Sequence, residues 1–136
     1  MDKTSKTKIL IAEDTPDLLA LMADRLNYEG YEVIKTVDGE EAWNKIQKEN
    51  PDVILLDLMM PKMDGYAVLE KLRNNPPSQK YQPVIIVSAK GELQDLKKGF
   101  SLEADHYIIK PWEMNDILKG IKMVLKLVKS RVAEHG

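Results

Sequence analysis

The sequence predicts an α/β fold, in which a doubly wound, five-stranded parallel sheet is covered by five helices. Short apolar runs rich in branched residues alternate with amphipathic stretches along the 136 residues. This order is typical of parallel sheets with helices on both faces. Right-handed crossovers between successive strands then give the doubly wound arrangement.

Five apolar runs are predicted to be strands. The first, third and fourth show no alternation with polar residues, which predicts that they lie in the centre of the sheet. The second alternates, as a less buried strand does. The predicted strands are residues 8–12, 31–36, 53–57, 83–88 and 106–109.

Helices are predicted between the strands from apolar spacing and terminal signals. Thr15 is a candidate N-cap for the first helix, with Pro16 in its first turn and Gly30 at its end. Asp38 is a candidate N-cap for the second. The remaining predicted helices cover about 65–73, a weaker stretch near 92–101, and a last segment from near 112 to beyond 128.

Composition narrows the possible functions. The absence of cysteine excludes disulfides, zinc thiolates and cysteine nucleophiles. A net charge of -2 gives no reason to expect direct nucleic-acid binding. No apolar stretch approaches the roughly 18 residues that a membrane span needs. We therefore expect a cytoplasmic protein with one domain at 8–130, between tails at 1–7 and 131–136.

Polar side chains gather where the predicted strands end. Glu13 and Asp14 follow the first strand, Asp57 ends the third, Ser88 ends the fourth and Lys110 follows the fifth. In an open parallel sheet, binding sites form beyond these carboxyl ends. Three acids without histidine or cysteine favour a hard cation, Mg²⁺ or alternatively Mn²⁺. A carboxylate beside such a cation can attack a phosphoryl group and form an aspartyl-phosphate.

Four segments closely resemble the receiver domain of two-component response regulators, the CheY-like family. They are ILIAEDT, VILLDLMMPKMDGY, VIIVSA and YIIKPW, in that order and each at a strand end. The resemblance extends from about Lys8 to Val128. It implies a flavodoxin-like sheet with the strand order 2-1-3-4-5.

The resemblance also implies roles for the acidic residues. Asp57 would accept a phosphoryl group from a histidine kinase or a phosphotransfer protein. Asp14 and Asp57 would bind Mg²⁺ directly, together with the backbone carbonyl of Met59, and Glu13 would reach the ion through water. Glu13 stands where aspartate is commoner, which a water-mediated contact should tolerate.

The remaining family positions concern the phosphoryl group and the switch. Ser88, in place of the commoner threonine, would contact the phosphoryl group, and Lys110 would pair with it. Pro111 would follow a cis peptide bond. Tyr107 occupies the aromatic switch position, whose ring turns inward as Ser88 moves. The fourth helix, fifth strand and fifth helix would then carry the output to a downstream protein or output domain, or form a homodimer.

The lifetime of the phosphoryl group is expected to depend on two further positions. In the family, the residues at the positions of Met59 and Lys90 tune this lifetime. A bulky apolar side chain at 59 and a long cation at 90 hinder the attacking water. The resemblance therefore implies slow self-dephosphorylation.

Two other functions remain open at this point. The chain is alternatively an interaction module that is never phosphorylated, although such modules usually lose a site residue and none is missing here. It is otherwise a Mg²⁺-dependent phosphatase with an aspartyl nucleophile, although Met59 stands where haloacid-dehalogenase-type phosphatases carry a second acid. Single residues also have ordinary interpretations: Asp57 and Glu13 as caps, Lys110 as a surface cation and Tyr107 as core packing.

Overall fold

The protein, in a computed structural model that describes residues 6–89 and 104–135, contains one parallel five-stranded sheet. The strand order is β2-β1-β3-β4-β5, which confirms the predicted topology and the central location of β1, β3 and β4. The strands are β1 Lys8–Ala12, β2 Glu32–Thr36, β3 Val53–Asp57, β4 Val84–Ala89 and β5 His106–Lys110.

Four helices cover the sheet within the described residues. The last begins two positions after the predicted start near residue 112. The predicted helix near 92–101 and Lys90 lie outside the described residues. The helices are α1 Pro16–Tyr28, α2 Gly39–Glu49, α3 Gly65–Asn74 and a C-terminal helix Met114–His135.

Side-chain caps begin α2 and α3 but not α1. The Asp38 carboxylate accepts a hydrogen bond from the Glu41 backbone N–H at 2.7 Å, which confirms it as the N-cap of α2. Asp64 caps α3 in the same way through Ala67, at 2.8 Å. Thr15 does occupy the N-cap position of α1, but its side chain makes no capping hydrogen bond.

Apolar side chains on the two faces of the sheet form two core layers. One layer joins β1, β3 and β4 to α1 and the C-terminal helix, through residues such as Ile11, Leu26 and Ile121. The other joins alternate residues of the same strands to α2 and α3, through residues such as Leu56 and Leu69. Since β1 and β3 face a layer on each side, their continuous apolar runs are explained. No helix in the described part of the chain combines the length and apolar character that crossing a bilayer requires.

Candidate functional site

Parallel pairing brings the ends of four strands to one edge of the sheet. Asp57, the last residue of β3, pairs with Val87 of β4, and Ala12 of β1 pairs with Leu56. Lys110, the last residue of β5, pairs with Ala89 of β4. The residues that follow or end these strands therefore lie close together, as their sequence positions predicted.

Three carboxylates form a compact cluster at this edge. Each of Glu13, Asp14 and Asp57 has a carboxylate oxygen, and these oxygens all lie within 4.8 Å of one another. Glu13 is 3% exposed and Asp57 is 5% exposed, whereas Asp14 is exposed to solvent. An oxygen-only set with one open side is the kind of site that suits Mg²⁺, which keeps several waters.

Lys110 supplies the positive charge that the sequence predicted. Its Nζ donates a hydrogen bond to Oδ2 of Asp57 at 3.1 Å. The other oxygen of Asp57, Oδ1, accepts a hydrogen bond from the Met59 backbone N–H at 3.2 Å. Asp57 thus forms a charge-assisted contact across the sheet edge, which a solvated surface lysine would not provide.

The acids of the cluster are not balanced by this one ammonium group. Burial, followed by the nearby Asp57 carboxylate, raises the pKa of Glu13 from 4.5 to about 7. The Thr15 backbone N–H, which donates to Oε2 of Glu13 at 3.0 Å, and Lys110 both oppose this rise in pKa. Glu13 therefore holds its proton to a higher pH than an ordinary carboxyl group, and a divalent cation would compete with that proton.

Asp57 is not the N-cap of the helix that follows it. Asp64, not Asp57, is the N-cap of α3. The Gly65 N–H donates to the Leu58 carbonyl at 3.0 Å, which closes the turn between β3 and α3. Met59 contacts Asp57 through its backbone, while its side chain is 63% exposed. The N–H of Met59 is therefore next to the carboxylate cluster.

Ser88 and Tyr107 lie on neighbouring strands. Ser88 is 3% exposed and pairs with Ile109 of β5. The hydroxyl oxygen of Tyr107 is buried, and its ring packs against the core layer that contains α3. Burial, and then the neighbouring Tyr66, raise the pKa of Tyr107 above its usual range. Tyr107 therefore faces the interior, and the Lys110–Pro111 peptide bond is cis as expected.

Sequence reasoning missed the close packing around the turn after Asp57. A Cβ atom at Gly65 would lie 2.8 Å from the Asp57 carbonyl oxygen, and one at Gly39 would overlap the Met63 carbonyl. The available signal was the pair of Asp-Gly steps at 38–39 and 64–65, each at the start of a helix. Glycine is a poor helix former, so its place there required a reason.

Comparison with known proteins agrees with the fold. A family model described as "Response regulator receiver domain" matches residues 9–122. The "Probable transcriptional regulator ycf27" of Guillardia theta is 37% identical over 126 residues, which cover 93% of this chain and 48% of that protein. The transcriptional regulatory protein PhoP of Bacillus subtilis, which regulates alkaline phosphatase synthesis, is 38% identical over 120 residues. These residues cover 88% of this chain and 48% of that protein.

Solved structures of receiver domains have the same fold. A CheY-like response regulator receiver domain from Methanospirillum hungatei JF-1 superposes with a TM-score of 0.85 and 31% identity, covering 93% of this chain and 99% of that one. The chain spans about half the length of the transcriptional regulators it matches. It belongs to the family of response regulator receiver domains of two-component systems.

Proposed function

We propose that this receiver domain is phosphorylated on Asp57 in a Mg²⁺-dependent reaction, with a histidine kinase or phosphotransfer protein as donor. The observation that carries the proposal is the position of Asp57. It is buried, bonded to Lys110 and grouped with two further carboxylates at the open edge of the sheet.

Glu13, Asp14 and Asp57 would hold the ion, because their carboxylate oxygens lie within 4.8 Å of one another. The carbonyl of Met59, a residue whose N–H contacts Asp57, would be a further ligand. When bound, Mg²⁺ neutralises charge on the acids and on the oxygens of the incoming phosphoryl group. The raised pKa of Glu13 supports this assignment, since crowded and buried carboxylates are stabilised by a cation.

The residues of the chain carry the transfer itself. An oxygen of Asp57 attacks phosphorus, the new O–P bond forms, and the P–N bond to the donor imidazole breaks with its electron pair left on nitrogen. Lys110, already 3.1 Å from Asp57, would pair with the phosphoryl oxygens, and the Ser88 hydroxyl would donate a hydrogen bond to them.

The consequence of phosphorylation would be a change at the β5 surface. Ser88 and Tyr107 connect the site to β5, and exposed apolar side chains continue across β5 and the C-terminal helix at Ile109, Met123 and Leu127. Such a surface suits protein contacts. It would contact a downstream protein, an output domain or a second copy of the chain.

The test is phosphorylation by a small phosphodonor with Mg²⁺, followed by intact-protein mass spectrometry. We expect the wild-type chain to gain one phosphoryl group, and Asp57→Asn to gain none. Asp64→Asn is the matched control, because asparagine caps a helix about as well as aspartate, and it should behave as wild type.

Two results would contradict the proposal. Failure of the wild type to gain mass with any donor would favour the unphosphorylated interaction module. Continuous turnover of a small phosphate ester, lost in Asp57→Asn, would favour the phosphatase.

A further inference from the structure

The start of α2 approaches the turn after Asp57 more closely than any side chain would allow. A Cβ atom built on Gly39 would lie 2.6 Å from the carbonyl carbon and 2.7 Å from the Cβ of Met63. The backbone of Gly39 is not in the left-handed region, so conformational freedom does not explain the glycine. Glycine is also a poorer helix former than alanine, by about 1 kcal/mol in a helix interior. Space is the remaining reason.

Two polar contacts join the same two segments. The Gly39 N–H donates to the Pro61 carbonyl at 3.4 Å, and Lys62 Nζ lies 3.6 Å from Oδ2 of Asp38. Lys62 adopts a positive φ of 68°, an unusual conformation for a residue with a side chain. Three successive residues of the turn, Pro61 to Met63, are therefore held by two residues at the start of α2.

The same turn carries the proposed ligand of the metal. The Met59 N–H contacts Oδ1 of Asp57, and the Leu58 carbonyl closes the turn through Gly65. Resting on the proposed function, we propose that Gly39 is a positioning residue: its lack of a side chain lets α2 hold the turn so that the Met59 carbonyl stays beside Asp57.

The turn, not the helix, would yield to a larger residue at 39. Ala42 and Ile46 anchor α2 in the core with 0% exposure. By contrast, the side chains of Met59 and Lys62 are 63% and 61% exposed. Displacement of the turn would move the Met59 carbonyl, and residues that orient metal ligands typically affect affinity by about 10–100-fold.

The experiment compares Mg²⁺ dissociation constants measured by calorimetry for wild type, Gly39→Ala and Gly30→Ala, at a temperature where circular dichroism shows all three folded. We expect Gly39→Ala to bind Mg²⁺ about tenfold more weakly. Gly30 is the matched control, because its φ of 98° disfavours alanine while no atom lies within 4 Å of the added Cβ. Gly30→Ala should lose thermal stability and keep its Mg²⁺ affinity.

The outcomes separate this inference from the proposed function. If the wild type binds no Mg²⁺, the proposed metal site is wrong. If the wild type binds Mg²⁺ and Gly39→Ala binds it equally well, the positioning role alone is wrong.

If Gly39→Ala does not fold, a second variant tests whether the contact between α2 and the turn affects Mg²⁺ binding. Asp38→Asn combined with Lys62→Gln removes the ion pair, while the net charge and the capping oxygen remain. We expect about twofold weaker Mg²⁺ binding, since the Lys62 side chain is 61% exposed and a solvated ion pair contributes little. Unchanged binding in this variant would overturn the proposal.

Discussion

The carboxylates at the two ends of the sheet differ in how far their charge is paired. At the carboxyl ends, three acids share the ammonium group of Lys110, and the pKa of Glu13 rises to about 7. At the amino ends, the carboxylate of Asp105 receives hydrogen bonds from three residues. One end has an excess of negative charge and the other is balanced.

The balanced end is a compact network between α3, β4 and the start of β5. Arg73 Nη2 lies 3.0 Å from Oδ2 of Asp105, and the Arg73 guanidinium lies 4.7 Å from the centre of the Tyr81 ring. The Tyr81 hydroxyl donates to Asp105 at 2.8 Å, as does the Val84 N–H. Both charged side chains are only about a tenth exposed, at 12% and 11%. Both oxygens of Asp105 thereby accept hydrogen bonds, and its charge is paired with that of Arg73.

The difference explains why one end is suited to chemistry. A carboxylate that is already hydrogen-bonded and paired with a cation gains little from a further cation. A cluster of neighbouring carboxylates, by contrast, is stabilised when a cation binds. Four changes, given from the largest expected effect to the smallest, test this contrast.

Removing the cation at the balanced end should destabilise the fold without affecting the site. Arg73→Met leaves Asp105 buried without its positive partner, and we expect the free energy of unfolding to fall by about 3 kcal/mol in urea denaturation. Lys71→Met, on the exposed side of α3, is the control and should change it by less than about 0.5 kcal/mol. A loss of Mg²⁺ affinity in folded Arg73→Met would show that the two ends are not independent.

Removing Lys110, the cation at the carboxyl ends of the strands, should slow phosphorylation. We expect Lys110→Met to slow phosphorylation by a small donor about 100-fold at saturating Mg²⁺, because the charge facing the phosphoryl oxygens is lost. The rate is followed by mass spectrometry over time. Lys80→Met, which breaks an ion pair with Asp52 at the amino ends, should be phosphorylated at the wild-type rate. Equal slowing in both variants would contradict a specific role for Lys110.

Neutralising Glu13 should stabilise the metal-free protein, but only at high pH. Between pH 4.5 and about 7, folded Glu13 holds a proton that the unfolded chain has released. Its contribution to stability is complete below this window and is lost as the pH rises through it. In EDTA, Glu13→Gln should therefore unfold with a free energy about 2 kcal/mol above wild type at pH 8 and close to it at pH 5. Stabilisation that is equal at both pH values would contradict a raised pKa.

The smallest effect concerns Mg²⁺ binding by the wild type. Because the ion must compete with the Glu13 proton, its affinity should fall about tenfold when the pH is lowered from 8 to 6. Calorimetry at the two pH values measures the change. Glu13→Gln should bind more weakly at pH 8 but with little dependence on pH, and a persisting dependence would point to another titrating group.

The sequence predicted most of the sheet because its signals are local. Apolar runs such as 53–57 coincide with the strand Val53–Asp57, and Asp38 caps α2 as expected. The prediction for Thr15 failed in part: it is the N-cap residue by position, but Glu13 bonds its N–H and its own side chain makes no cap. Competition between nearby polar groups is decided by geometry, which spacing does not report.

Contacts between distant segments were beyond the sequence signals. Arg73, Tyr81 and Asp105 gave no pattern along the chain, although they form the balanced network. The approach of Gly39 to Met63 was hidden for the same reason, since only the packing of α2 against the turn brings them together.

The sequence by itself determined the order of strands and helices along the chain and which acids, hydroxyl and ammonium stand at strand ends, because both follow from local periodicity. The tertiary structure alone decided how these charges balance. Asp105 and Asp57 are both aspartates near strand ends with little solvent exposure, yet one is paired with a cation and the other belongs to a crowded cluster. Charge balance depends on distance and burial, and only the folded chain fixes these.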